Sequence, residues 1–282
     1  MEGRRLLVLR NALKAWLLLV VFSLVLGALG WQLGGYRVAL LFLGSAVLLS
    51  SALYGYADRI VMGMVGAREL LLGEAPALHS TVERLAARAG VVKPKLYVLA
   101  DGYPRALSAG RGAGGGAALA LSVGLLGVAS PAELEGIIAH ELAHLRYRDV
   151  LVQTVAVVVA AAIIEASRVG GALQRALLFV LGPLAAAFVH LLLSPKREFE
   201  ADRFAASVCD SPHGLADALV RLEQAMQLVA FEASPATEPL YTTDPFAEVG
   251  LAALFASHPP VVERVRRLRE LDPEWRERLR AA

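Results

Sequence analysis

Residues 137–149 read IIAHELAHLRYRD, and three of them are spaced for chemistry: His140, Glu141 and His144. On a helix, residues i and i+4 share one face, so the two imidazoles point the same way. Two imidazoles so arranged can bind one Zn²⁺ at ~2.0–2.1 Å. Glu141 lies one step round the helix, where it reaches the water on the metal rather than the metal. Zinc lowers that water's pKa toward ~7, and a carboxylate beside it takes the proton as the water attacks an amide carbon. This is the H-E-x-x-H pattern of zinc hydrolases.

A catalytic zinc needs a third protein ligand and one open position. No HxxGxxH extension follows His144, so the third ligand must come from elsewhere in the chain. SPKREFEADRFAA is the best source. Glu198 and Asp202 are i and i+4 and face the same way, whereas Glu200 points about 160° from Glu198. Glu198 is therefore assigned to the metal, and Asp202 to holding a ligand histidine by its other N–H. His190, near the end of an apolar block, reads as a packing residue.

The helix carrying the histidines is marked at its start. In residues 131–147, PAELEGIIAHELAHLRY, Ser130 is the N-cap, Pro131 the first helical residue and Glu133 the third after the cap. The surrounding polar segments also look folded. APALHSTVERLAARAG has helical spacing and ends in Gly, while KLYVLA and AALALS read as strands. SAGRGAGGGA lies between those strands. It lacks a phosphate loop's GK[ST] ending and reads as a flexible turn. Further helices are expected over 196–209, 213–231 and 258–271.

Composition sets the wider frame. The 282 residues are 56% hydrophobic and 19% charged, against about 45–50% and 25% in soluble domains. The apolar excess falls in four blocks. Residues 16–35 and 38–57 are each long enough to cross a ~30 Å hydrocarbon core and form a hairpin about Arg37. Residues 150–164 and 176–193 are shorter and form a second, transmembrane or membrane-inserted hairpin. The first block exceeds a signal peptide's usual ~7–15-residue core and is read as a retained anchor. Arg4, Arg5, Arg10 and Lys14 precede the first block, Arg59 and Arg68 follow the second, and Lys196 and Arg197 follow the fourth. That bias puts both termini and both polar segments in the cytoplasm.

Four parts follow: a transmembrane hairpin in 1–57, the first catalytic segment in 58–149, a second hairpin in 150–193 and the second catalytic segment in 194–282. The expected fold class is mainly α, an integral membrane helical protein with a zincin-like domain carrying a small sheet. The net charge of +2 and the scattered arginines exclude nucleic acid as a partner. One cysteine, Cys209, excludes an intrachain disulfide and a cysteine zinc cluster.

Four motifs in order, YADRIVMGMVGAREL, ELEGIIAHELAHLRYRD, SPKREFEADRFAA and GLAALFASHPPVVERVRRL, carry a family likeness. From about Tyr54 to Leu271 the chain resembles the HtpX-like membrane zinc metalloproteases, relatives of the CAAX prenyl proteases. The resemblance implies a helical catalytic domain interrupted by a membrane hairpin and facing the cytoplasm. It implies one Zn²⁺, Glu198 as third ligand, and membrane or misfolded proteins as substrates, cut at the inner-membrane surface as quality control. It further implies that His258 and Arg264 lie near the active site, where a cation could stabilise an oxyanion. Such relatives usually carry Pro-Asn-Ala where this chain has Pro104, Arg105 and Ala106, a departure in the expected peptide groove. The alternative is a catalytically idle membrane adaptor on the same fold. Such an adaptor should have lost Glu141 or a ligand, and none is missing. A transporter would carry ionisable residues in mid-span, and these blocks hold almost none. The sequence is silent on oligomeric state, so a homo-oligomer stays open.

Overall fold

The computed structural model describes residues 2–150, 152, 154, 195–226, 259–272 and 274. The second apolar hairpin, apart from Val150, Val152 and Thr154, lies outside the described residues, as do His190 and His258.

The chain opens with α1, Glu2–Met64, whose helical geometry breaks at Gly34 and Gly35. Gly35 has φ 69° and ψ −159°, a region open essentially to glycine alone. The break folds α1 into a helical hairpin. Its arms meet closely: a Cβ on Gly30 would sit 2.9 Å from the Ala39 Cα. Small residues let two apolar helices approach in this way. Among the described residues, Gly30–Ala52 is long and apolar enough to cross a membrane, and only 6% of its apolar window is buried.

Beyond the hairpin come β1 (Arg68–Glu69), α2 (Pro76–Ala89), β2 (Lys95–Leu99), β3 (Ala106–Gly110), β4 (Ala117–Ser122) and a short α3 (Val123–Val128). The strands form one sheet in the order β1-β2-β4-β3, with β2 and β4 parallel and the other pairs antiparallel. The glycine-rich segment does turn between paired strands, but it joins β4 to β3. Residues Ser108–Gly110, expected in the turn, complete β3. Ala, Ser and Gly have weak strand preference, and β3 owes its pairing to burial in the sheet edge. β1 and α3 are likewise absent from the sequence reading.

β4 explains how the sheet holds two layers apart. Side chains alternate faces along a strand. Leu119 and Leu121 join the larger core with Ile137, Ile138 and Leu142, and Ala118 and Ala120 pack with Val61 and Met62 of α1. The small alanines admit α1 and the leucines fill the opposite side.

Next comes α4, Pro131–Tyr147. Its capping box is complete: Ser130 Oγ accepts from the Glu133 N–H, and Glu133 Oε2 accepts from the Ser130 N–H at 2.7 Å. Ile137, Ile138, Leu142 and Leu145 are fully buried against α2, the sheet and the later helices. Those later helices are α5 (Pro195–Cys209), α6 (His213–Met226) and α7 (Val261–Glu270). α4 crosses α6 where two glycines meet. A Cβ on Gly136 would lie 2.6 Å from the Leu215 nitrogen, and one on Gly214 would lie 2.4 Å from the Ala132 oxygen. The crossing fixes the height and roll of α4, and with them its histidines.

Candidate metal centre

His140 and His144 lie one turn apart on the buried face of α4, with their Nε2 atoms 3.1 Å from each other. Their rings meet edge to face, with centroids 4.8 Å apart and planes at 85°. Glu198 enters from the first turn of α5. Its Oε2 lies 3.5 Å from His140 Nε2 and its Oε1 lies 3.8 Å from His144 Nε2. One ligand atom from each of His140, His144 and Glu198 falls within 4.8 Å of the others. All three residues are buried, and Glu198 is wholly so. Glu200, two residues on, is exposed.

The other ring nitrogens settle the tautomers. His140 Nδ1 lies 3.0 Å from Asp202 Oδ1, and His144 Nδ1 lies 2.9 Å from Asp149 Oδ2. A carboxylate only accepts, so each Nδ1 carries a hydrogen and donates it. Each Nε2 is then left with a lone pair, and the two lone pairs converge beside a carboxylate. Electron-rich atoms packed this way repel one another unless a cation joins them.

Charge gives the same answer. Glu141, Asp149, Glu198 and Asp202 are buried carboxylates about the histidine pair, and Arg197 and Arg264 are the guanidinium groups among them. With both rings neutral, as metal ligands must be, the described residues set four negative charges against two positive, and one divalent cation cancels the difference. His140 registers that deficit. Burial opposes charge on its ring, but the Asp202 and Glu198 carboxylates outweigh burial and raise its pKa to about 9. The donor set therefore fits a metal ion.

Comparison with known proteins agrees with this geometry. The profile of Peptidase family M48 matches residues 73–272, a span that holds every one of these residues. The chain belongs to peptidase family M48. A protein named Protease HtpX homolog from Pelotomaculum thermopropionicum is 36% identical over 276 residues, covering 92% of this chain and 98% of that protein. Proteins of the same name from Pyrococcus abyssi and Acidiphilium cryptum are 34% and 37% identical, over 92% and 93% of this chain. The solved structure of S. mikatae Ste24p aligns over 93% of this chain and 66% of its own, at 16% identity and a TM-score of 0.47. The chain is thus a metalloprotease of the HtpX type.

In this M48 peptidase Asp202 is held from behind. Arg264, on α7, donates from Nε to Asp202 Oδ2 at 2.9 Å and from Nη2 to Oδ1 at 2.6 Å. Burial pushes the Asp202 carboxyl up, but the Arg264 guanidinium overrides it and brings the pKa down to about 2. Arg264 is itself fully buried, with Nη1 4.0 Å from Glu198 Oε2. It stands beside His140 and Glu198, with two of its donors given to Asp202.

Asp149 is the residue that sequence reasoning missed. It follows His144 by five positions, a spacing that no straight helix turns into a contact. Arg148 ends α4 in the left-handed region (φ 56°, ψ 21°) and folds Asp149 back under the helix to His144. A non-glycine residue in that region costs of order 1 kcal/mol. The only signal in the sequence is an aspartate placed just past the helix end. Arg105, the departure from the family pattern, pairs with Asp101, and just before β3 its backbone N–H and C=O both bond Ser122 at the end of β4.

Proposed function

We propose that this protein is a zinc-dependent endopeptidase of the cytoplasmic membrane that cuts membrane or misfolded proteins at the cytoplasmic face. In this reading His140, His144 and Glu198 bind one Zn²⁺, Asp202 and Asp149 orient the two histidines, and Glu141 is the general base. The observation that carries it is the meeting of three buried ligand atoms from α4 and α5 within 4.8 Å. Two imidazoles and a carboxylate, with a fourth position open, are the donor set of catalytic zinc sites. None of these residues is missing, so nothing favours an idle adaptor.

When bound, zinc supplies Lewis acidity, polarising the water and the carbonyl it meets. The chain's own residues do the rest. Glu141 is buried beside the ligands on α4, and its carboxylate takes a proton from the attacking water. It then hands that proton to the departing amide nitrogen as the C–N bond breaks. Asp202 and Asp149 would keep both Nε2 atoms aimed at the metal position, since neither ring can turn without losing its hydrogen bond.

The membrane part of the proposal is multi-pass. The hairpin in α1 and the Gly30–Ala52 stretch support it, with the basic flanks giving the orientation. The four-part division at 57, 149 and 193 belongs to the same reading. The α1 hairpin and the segment 150–193 sit in lipid, and 58–149 and 194–282 form the catalytic unit.

The test is Glu141→Gln in detergent-solubilised full-length protein. It should retain metal and lose casein cleavage by about 10²–10⁴-fold, as removal of a general base does. Turnover within about tenfold of wild type would remove Glu141 from its role.

A further inference from the structure

Hydrolysis of an amide by water places a negative charge on the former carbonyl oxygen, and some donor must meet it. Arg264 has two nitrogens engaged on Asp202. A second arginine stands on the other side of the same cluster. Arg197, in the first turn of α5, approaches Glu198 Oε1 with its Nε at 3.2 Å, while Arg264 approaches Glu198 Oε2. The two guanidinium groups thus bracket one carboxylate and differ in how they are used. The Arg197 side chain is nine-tenths buried and ion-paired to Glu198 through Nε, and among the described residues Nη1 and Nη2 have no hydrogen-bond acceptor.

A guanidinium carries five N–H donors and cannot shed its charge. Burying one without acceptors is costly, and a fold keeps it where an anionic oxygen arrives from outside. Neutralising Glu198 does not account for both guanidinium groups, because Arg264 already faces that carboxylate from its other oxygen. Arg197 Nε is 3.2 Å from a Glu198 oxygen that is itself 3.8 Å from His144 Nε2. The unused donors therefore sit at the edge of the metal cluster, on the His144 side. The remaining tenth of exposure leaves an approach.

We propose that Arg197 is a catalytic residue, the donor that receives the oxyanion of the scissile carbonyl. The inference rests on the peptidase reading and assigns one further role within it. Water oxygen bonds to the carbonyl carbon, the C=O π pair moves onto oxygen, and the water proton goes to Glu141. The new O⁻ accepts hydrogen bonds from the Arg197 N–H groups. As the pair returns to re-form C=O, the C–N bond breaks and the amine leaves with the proton from Glu141. Charge is conserved: the negative charge leaves Glu141 and appears beside Arg197.

The experiment uses full-length protein in detergent, with Arg197→Met and Arg197→Lys compared to wild type. Three quantities are read: bound metal per chain, kcat and KM on a casein-derived peptide, and the Ki of the phosphinic analogue of that peptide. The phosphinic group mimics the tetrahedral, negatively charged centre. Arg197→Met should keep its metal and its KM while kcat falls about 10²–10³-fold, the usual loss for an oxyanion donor. The phosphinic Ki should rise by the same factor. Wild-type phosphinic affinity in Arg197→Met would overturn the proposal. Loss of metal in that variant would also overturn it, making Arg197 a support for Glu198. If Arg197→Met does not fold, Arg197→Lys decides. It keeps the charge and loses the fork, so kcat and phosphinic affinity should fall together with metal retained. Wild-type values of both would sink the idea. Failure of the peptidase reading itself looks different: the wild-type protein would neither bind metal nor cleave.

Discussion

In the proposed reading, the side chains of the centre divide into those that would hold a metal and those that aim the holders. Glu198 and Glu200 make the sharpest contrast, because two positions on one helix separate a fully buried carboxylate from an exposed one. Glu198→Ala should empty the site, read as zinc per chain by elemental analysis after gel filtration. Glu200→Ala should leave the metal content at the wild-type value. The reverse outcome would mean that the wrong face of α5 has been assigned. Asp149 belongs to the second group. It accepts from His144 Nδ1 at 2.9 Å, and losing such an orienting carboxylate typically weakens metal binding about 10–100-fold. Asp149→Ala should show that loss in competition with a chelator, whereas Asp149→Asn, which still offers an oxygen, should show less. Equal affinity in wild type and Asp149→Ala would remove it from the centre.

At the scale of elements, α4 is fixed at its start by a cap that also ties it to α6. Glu133 closes the capping box and takes Arg221 Nε at 2.9 Å. Burial would raise its pKa, but the Ser130 N–H and the Arg221 guanidinium lower it on balance. A carboxyl depressed in the folded state contributes stability that is fully present above its unfolded pKa of about 4.3. The contribution disappears as pH falls through the folded value. Glu133→Gln should therefore be less stable than wild type at pH 7, by about 0.5–1 kcal/mol given that Arg221 is half exposed. The gap should narrow steadily below pH ~4. Thermal melts at pH 7 and pH 3.5 check it, and a gap that widens in acid would reverse the sign argued for Glu133. The Gly136–Gly214 crossing explains why α4 and α6 each carry a glycine so close to the site: the backbones need the space.

For the whole molecule, the decisive question is which segments share a compartment. One metal can draw on α4 and α5 only if the segment between them returns the chain to the side it left. In a Cys209→Ser background, cysteines replacing Arg37 and Gly170 should react with an impermeant thiol reagent applied to intact cells. Cysteines replacing Gly73 and Glu223, both exposed on the catalytic unit, should react only after lysis. Labelling of Glu223→Cys from outside would put the ligands on opposite sides of the membrane and end the metal-centre model. Silence at Gly170 alone would favour a hairpin that dips into lipid without crossing, and would leave the chemistry intact. Cys209 itself should label poorly, since burial, first, and the nearby Glu135 push its thiol up to about 11.

What the sequence determined alone is what short-range geometry determines. The i,i+4 histidines, the Ser130–Glu133 box, the glycine that ends α2 and the apolar blocks on either side of Arg37 all depend on neighbours within a turn or two. The pairing of Glu198 with Asp202 was legible for the same reason. The tertiary structure decided whatever links distant parts of the chain. Arg264 reaches Asp202 across 62 positions and His140 across 124, and no local rule sets such a distance. β3 is a strand because β4 lies beside it, since its Ala-Leu-Ser-Ala-Gly carries little preference of its own. Asp149 meets His144 only because Arg148 adopts a left-handed turn that packing must sustain. Arg197 reads in the sequence as one more basic residue flanking an apolar block. Folding encloses its guanidinium beside Glu198, and buried donors without an acceptor among the described residues are what mark it out.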